Sequence, residues 1–142
     1  MVPSPHELAV DLVRRYALTA DDFVIEVGSG DGSLLRAIHA LGPRALGVEA
    51  DPRLAAQAFR SGVDTLAGAF HPATAADIRR RDGPARVVVS RTTRATGDTL
   101  TPFVTAAACC LAAEGVVLLL SGGVNAWVEV RIDPIPATSC AA

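Results

Sequence analysis

Phe23-Val24-Ile25-Glu26-Val27-Gly28-Ser29-Gly30-Asp31-Gly32 is the stretch that decides the fold. An apolar run with one acid ends in a glycine-rich turn. Leu34, Leu35, Ile38 and Leu41 follow at helical spacing, and Gly42-Pro43 stops them. Arg44 to Ala50 reads as a second strand, with Glu49 near its tip. Strand, glycine turn, helix and a second strand tipped by an acid is the layout of a nucleoside-cofactor site. Glycines let the backbone approach the ligand. The acid can take both hydroxyls of a ribose.

The pattern continues outward in both directions. Ser4-Pro5-His6-Glu7 reads as a helix start, with Ser4 as cap and Pro5 in the first turn. Leu8, Leu12 and Val13 form its apolar stripe, Tyr16 and Leu18 extend it, and Asp21-Asp22 break it. Asp51-Pro52 starts a further helix that Gly62 ends. Val63 to Ala69 is a weaker third strand, Pro72 to Arg81 a helix and Arg86 to Ser90 a fourth strand. Residues 98–113 read as a helix and Gly115 to Ser121 as a fifth strand. Strands alternating with helices imply right-handed crossovers and a parallel sheet covered on both faces. The expected fold is α/β, a Rossmann-like three-layer sandwich with strand order 3-2-1-4-5. Ser121-Gly122-Gly123-Val124-Asn125 is turn chemistry. Ala126 to Ile132 then alternates, with Val128, Val130 and Ile132 on one face and Trp127, Glu129 and Arg131 on the other. That is a half-buried strand, antiparallel to the fifth and covering its edge. Residues 1–132 are expected to form a single domain, with 133–142 as a flexible tail.

Composition sets limits. Of the 142 residues 50% are apolar, enough for one sizeable core. Net charge is −2, which gives no electrostatic case for nucleic acid or an anionic membrane. The arginines Arg79-Arg80-Arg81 complement a helix C-terminus. The odd set Cys109, Cys110 and Cys140 does not make a disulfide framework, and without a CxxC pair no metal site is expected. Cys109 and Cys110 read as small core residues in an Ala-rich helix. No basic-then-apolar leader and no membrane-length apolar run is visible, so a reducing cytoplasm is the expectation.

Two cofactors compete for the turn. A dinucleotide fold uses G-x-G-x-x-G with pyrophosphate over the helix N-terminus. Here Gly28, Gly30 and Gly32 are spaced G-x-G-x-G, and Ser33 occupies the third dinucleotide position. Asp31 at the helix start would repel a pyrophosphate. Asp31 and Glu26 suit a cofactor with an ammonium or sulfonium. An NAD-binding domain is the weaker alternative.

Val24-Ile25-Glu26-Val27-Gly28-Ser29-Gly30-Asp31-Gly32 resembles motif I of class I S-adenosylmethionine-dependent methyltransferases, and Gly47-Val48-Glu49-Ala50 resembles the acidic tip of their second strand. The longer pattern, G-S-G-D-G-S-L-L-R-A, then L-G-V-E-A-D-P, then G-V-D-T-L-A-G-A-F, is similar to sugar C-methyltransferases acting on nucleotide-linked deoxyhexoses. The resemblance runs from about Ser4 to Leu120 and is strong to about Phe70. It implies S-adenosylmethionine as cofactor and a small-molecule acceptor. Gly28, Ser29, Gly30 and Gly32 would approach the methionine portion with their backbone, with Glu26 near its ammonium and Asp31 close by. Glu49 would hold the ribose hydroxyls, Ala50, Ala69 and Phe70 would flank the adenine, and backbone at Ser90 would lie near the methionine end.

The acceptor side resembles the family less. Members supply a catalytic base after the fifth strand, including a His-Glu-His segment with a nearby Tyr. This chain has no such segment and no Cys-rich zinc module. It is expected to be shortened at its C-terminus, since members continue with another helix and two strands. Ser90-Arg91-Thr92-Thr93-Arg94 stands where an apolar, His-containing stretch is common. His71 is the one weak candidate for a base, and His39 and His6 read as structural or exposed. Arg91 and Arg94 would suit an anionic acceptor. A catalytically impaired binding remnant or partner module is therefore the alternative to an active methyltransferase. The acceptor, the atom methylated and the oligomeric state are not encoded in any motif.

Overall fold

In the computed structural model, which describes residues 3–92, 98, 100–120 and 127–140, Ser4 opens the first helix. Its hydroxyl accepts the Glu7 amide at 3.1 Å. Helix α1 spans Pro5–Arg15, followed by β1 Phe23–Val27, α2 Ser33–Ala40, β2 Arg44–Glu49, α3 Pro52–Arg60 and β3 Thr65–Ala67. Then come α4 Pro72–Asp82, β4 Ala85–Ser90, α5 Leu100–Ala108, β5 Leu111–Leu120 and β6 Trp127–Val130. The strand order is β3-β2-β1-β4-β5-β6. This is the expected 3-2-1-4-5 order with an added C-terminal edge strand. The chain divides into two compact units, Met1–Gly68 and Ala69–Ala142.

In the first unit β1 pairs parallel with β2, in register from Phe23↔Arg44 to Val27↔Val48, and β2 pairs parallel with β3. Phe23, Val24, Ile25 and Glu26 are all buried, as a strand covered on both faces requires. The Arg44 guanidinium lies 5.0 Å from the Phe23 ring centroid. Leu8, Ala9 and Leu12 of α1 and Leu34, Leu35 and Ile38 of α2 are buried where these two helices pack. Helix α1 stops before Tyr16 and Leu18, because Ala17 takes a left-handed φ of 50°. Asp51 caps α3 by accepting the Arg53 amide at 2.9 Å, and Pro52 stands in its first turn.

The second unit departs further from the sequence reading. A helix over 98–113 is expected, but α5 ends at Ala108 and β5 already starts at Leu111. Cys109 and Cys110 form a tight turn, their amides bonding the Ala106 and Ala107 carbonyls. The Cys110 carbonyl then accepts the Ala85 amide at 2.7 Å. Sheet pairing thus claims an Ala-rich segment whose local propensity is helical. Strand β5 pairs parallel with β4, with a register shift between Ala85 and Val87, and antiparallel with β6. Val128 and Val130, expected on one face, differ in burial: Val128 is 37% exposed and Val130 half-buried, as is Trp127 on the other face. The Glu129 carboxylate instead pairs with Arg131 at 2.6 Å. The turn read at 121–125, Ala126 and Arg94 lie outside the described residues.

The cysteines also differ from expectation. Cys109 and Cys140 are joined in a disulfide across a separation of 31 residues. Spacing could not reveal this pair, because the fold brings Cys140 back to the end of α5. Ile135 donates its amide to the Ala108 carbonyl at 2.9 Å, and Cys140 is buried. The segment expected to fray is tied back at these two points. Cys110 is free and buried, and burial pushes its thiol up to about 12, with Arg79 opposing.

Candidate functional site

The glycine turn and the β2 tip come together in the first unit. Gly28 leaves β1 with φ 73°, its amide donating to the Val48 carbonyl at 2.8 Å. Gly30 follows with φ 60° and Gly32 with φ 81°. These values suit glycine, since a side chain would be strained in this region. The Gly30 amide donates to Glu49 Oε1 at 2.7 Å, and the Asp51 amide donates to Glu49 Oε2 at 2.8 Å. Glu49 is 9% exposed. One buried carboxylate therefore fixes both the turn and the entrance to α3.

The glycines at this site differ in what their missing side chains allow. A Cβ on Gly30 would meet nothing within 4 Å, so this face of the turn is open. A Cβ on Gly32 would sit 3.0–3.1 Å from three Val63 side-chain atoms, so this glycine lets the turn pack. Gly47 shows a third reason. A Cβ there would collide with Ser29 Oγ and lie 2.9 Å from Ser29 Cβ. Ser29 is buried, its side chain occupying the space that Gly47 leaves.

Asp31 is exposed, and its Oδ1 accepts the Ser33 amide at 3.0 Å at the start of α2. Arg36 Nη2 reaches the Asp31 carbonyl and the Ser61 hydroxyl, each at 3.4 Å. Glu26 is fully buried in β1, and Ala50 is exposed just past Glu49. The sequence reading missed Asp51, Arg36, Gly47 and Val63 as supports of the turn. Asp51 two residues after Glu49 was legible only as a helix cap. The others act through contacts that no local spacing reveals. A cavity of about 360 Å³ in this unit is lined by Leu35, His39, Phe59 and Val63 among others, and includes none of the turn glycines. His39 is structural in geometry, with Nδ1 3.1 Å from the Pro43 carbonyl.

The remaining candidates lie in the second unit. Ala69 is exposed, and its carbonyl accepts from the Thr74 hydroxyl at 3.3 Å. Phe70 is half-buried against Phe103, with ring centroids 5.9 Å apart. His71 is exposed at the cap position of α4 and makes no side-chain cap bond. Ser90 is buried at the end of β4, with Oγ 3.3 Å from the Thr92 hydroxyl. Arg91 is half-buried beside it. Among the described residues no group of three or more His, Cys, Asp or Glu is placed to hold a metal.

No family model matches the chain. The C-methyltransferase NovU of Streptomyces niveus is 40% identical over 83 residues, 58% of this chain and 20% of that protein. The structure of CalS10, an amino pentose methyltransferase from Micromonospora echinaspora with S-adenosylmethionine bound, superposes with a TM-score of 0.63 at 27% identity, covering 83% of this chain and 51% of that one. The fold is that of a class I S-adenosylmethionine-dependent methyltransferase. An RNA methyltransferase from Salinibacter ruber, in complex with S-adenosylhomocysteine, shares it at 24% identity and a TM-score of 0.61, covering 83% of this chain and 76% of that one. The resemblance read from the motifs, to methyltransferases with sugar enzymes among them, holds in both sequence and fold. The chain spans about a fifth of the curated relative and about half of the amino pentose methyltransferase.

Proposed function

We propose that the Gly28–Gly32 turn and Glu49 bind S-adenosylmethionine, and that the protein transfers its methyl group to a small molecule, with a nucleotide-linked sugar as the favoured acceptor. The Glu49–Gly30 pair carries this reading. Each Glu49 oxygen accepts one amide and keeps acceptor capacity for a vicinal hydroxyl. Gly30 leaves open space beside it, where a side chain would block a nucleoside. Glu26, Gly28, Ser29, Asp31 and Gly32 are assigned to the methionine end. For Ala50 and Ala69 and Phe70 at the adenine, and for Ser90 at the methionine, the assignment rests on the family resemblance.

The bound cofactor would supply a sulfonium methyl group, whose carbon–sulfur electron pair returns to sulfur as the acceptor bond forms. The chain's own contribution is to bind and orient it. His71 is the candidate base, and a pH–rate profile of His71→Ala tests that role. The sugar acceptor is supported by the motif pattern and by the likeness to an amino pentose methyltransferase. Net charge of −2 argues against a nucleic-acid acceptor, and methyl incorporation into RNA would overturn that exclusion.

Calorimetry with S-adenosylhomocysteine is the direct test. Folded protein giving no heat at millimolar ligand sinks the proposal. Glu49→Ala is expected to weaken binding by about 1.5–3 kcal/mol, the scale of hydrogen bonds to a charged group.

A second reading has its own observation. The chain spans only a fifth of its curated relative, so residues that meet the acceptor need not be on it. It would then bind the cofactor without transferring methyl. Binding with no transfer to any sugar nucleotide favours this reading, and transfer by the isolated chain eliminates it.

We place the chain in the cytoplasm. No described helix is long and apolar enough to cross a membrane. The Cys109–Cys140 disulfide speaks against that placement, since a reducing compartment would keep the pair as thiols. Thiol titration of protein isolated under rapid alkylation tests this, and a protected pair would contradict the placement.

A further inference from the structure

We propose that the outer edge of β6 pairs antiparallel with the same strand of a second copy of this chain, about a two-fold axis at Val130. Strand β6 stands last in the sheet order, and its inner edge pairs with β5 from Leu120↔Trp127 to Val117↔Val130. No described strand pairs with its outer edge. Backbone amides and carbonyls along such an edge point away from the sheet and need partners. A further strand can supply them through main-chain hydrogen bonds, and the side chains then decide which strand fits.

The side chains here are complementary to themselves. From Val128 the chain runs Val-Glu-Val-Arg-Ile, centred on Val130. In an antiparallel pair of copies centred there, Glu129 of each copy stands opposite Arg131 of the other. Val128 stands opposite Ile132, and Val130 meets its own counterpart. Charged pairs then line one face and apolar pairs the other, because side chains two apart share a face. The Glu129 and Arg131 side chains meet at 2.6 Å within one copy, so they do project together. Both are exposed, as is Val128. A register centred on Glu129 or on Arg131 would instead set like charges opposite each other, which selects Val130 as the centre. Charges that guard an edge against a second copy repel it; these two attract it. Pro134 lacks an amide to donate and ends the pairing beyond Asp133. A ribbon of about five residues lies at the small end of interface sizes, so the dimer should form only in concentrated protein.

Sedimentation velocity over a concentration series tests this on the full chain. The wild type should pass from monomer to dimer as its concentration rises to about 500 μM. Glu129→Arg and Arg131→Glu each set like charges opposite at both contacts, and each should weaken the dimer at least about tenfold. An equal mixture of the two variants should associate about as well as the wild type, because one then carries arginine at both positions and the other glutamate. Neither variant keeps the ion pair within its own copy, so recovery in the mixture reads the contact between copies alone. Melting curves check that both variants fold. Hydrogen exchange on the wild type needs no variant, and amides over residues 128–132 should slow as concentration rises. A wild type that stays monomeric overturns the proposal. So does a dimer that both variants form as well as the wild type, or a mixture that associates no better than its components.

Discussion

The two units of this chain solve the same problem, ordering three strands and their helices, with different devices. In Met1–Gly68 the ends of elements are set by local chemistry. Ser4 and Asp51 cap helices, and Gly28, Gly30 and Gly32 take positive φ between β1 and α2. In Ala69–Ala142 the ends are set by distant contacts. The Cys109–Cys140 disulfide, the Ile135–Ala108 bond and the capture of Leu111 by β4 decide where α5 stops. Local devices are readable in a sequence and break one at a time. Distant ones are silent in it and should fail together.

The largest effect should therefore come from the disulfide. Reduction, or Cys140→Ser, is expected to cost about 3–4 kcal/mol for a loop of this size, roughly 10 °C in Tm. Hydrogen exchange should rise first at Ile135 and along 133–140. A Tm unchanged between oxidised and reduced protein would mean that the second unit is held by packing alone. Cys110 supplies an internal control. Its thiol, raised to about 12 against an ordinary value of 9.0, should resist alkylation at pH 9 in the folded protein. With a folded value above the unfolded one, the folded state keeps its proton longer, so this group's stabilising contribution is lost as pH rises from about 9 to about 12. Faster alkylation than global unfolding would break the assignment.

A glycine from each unit extends the contrast. A Cβ on Gly115 would lie 2.7 Å from Leu111 side-chain atoms and 2.9 Å from the Ala85 carbonyl oxygen. Backbone cannot step aside, so Gly115→Ala should cost about 3 kcal/mol, with no single side-chain change restoring it. Gly47→Ala meets chiefly Ser29 and should cost about 2 kcal/mol. Adding Ser29→Gly should return part of that loss, and urea melts of the four variants form the cycle. If the double variant is no better than Gly47→Ala, Ser29 is not what occupies the space.

The same contrast explains what the sequence made legible. The parallel order, the turn, the acid at Glu49 and the caps all follow from residue types a few positions apart. The α5–β5 boundary did not, because Leu111-Ala112-Ala113 has helical propensity and becomes strand only through its partner Ala85. Trp127 to Val130 forms the expected strand, but its burial does not alternate, with Val128 and Glu129 exposed between half-buried Trp127 and Val130, since a sequence pattern shows a face but not whether anything covers it. At the site, Glu49 was readable as a ligand-binding acid. Its hold on the Asp51 amide was not, because that bond depends on how the chain turns after β2.

The smallest change in stability should give the sharpest functional result. Gly30 and Gly32 share a left-handed backbone but not a reason for it. Gly32→Ala adds contact with Val63 to the backbone strain and should cost about 2–3 kcal/mol of stability. Val63→Ala in the same chain should relieve the contact part. Gly30→Ala carries only the backbone strain of about 1 kcal/mol, since its Cβ meets no protein atom within 4 Å. That Cβ would instead stand in the space assigned to the nucleoside, next to Glu49. Its S-adenosylhomocysteine affinity should therefore fall at least about tenfold, more than its stability change alone would suggest, a separation of about 1.4 kcal/mol. Paired melting and calorimetry on the two variants measure both quantities. If Gly30→Ala binds as the wild type does, the open face of the turn is not where the nucleoside lies, and Glu49 loses its role as the ribose acceptor while keeping its role as the clasp of the turn.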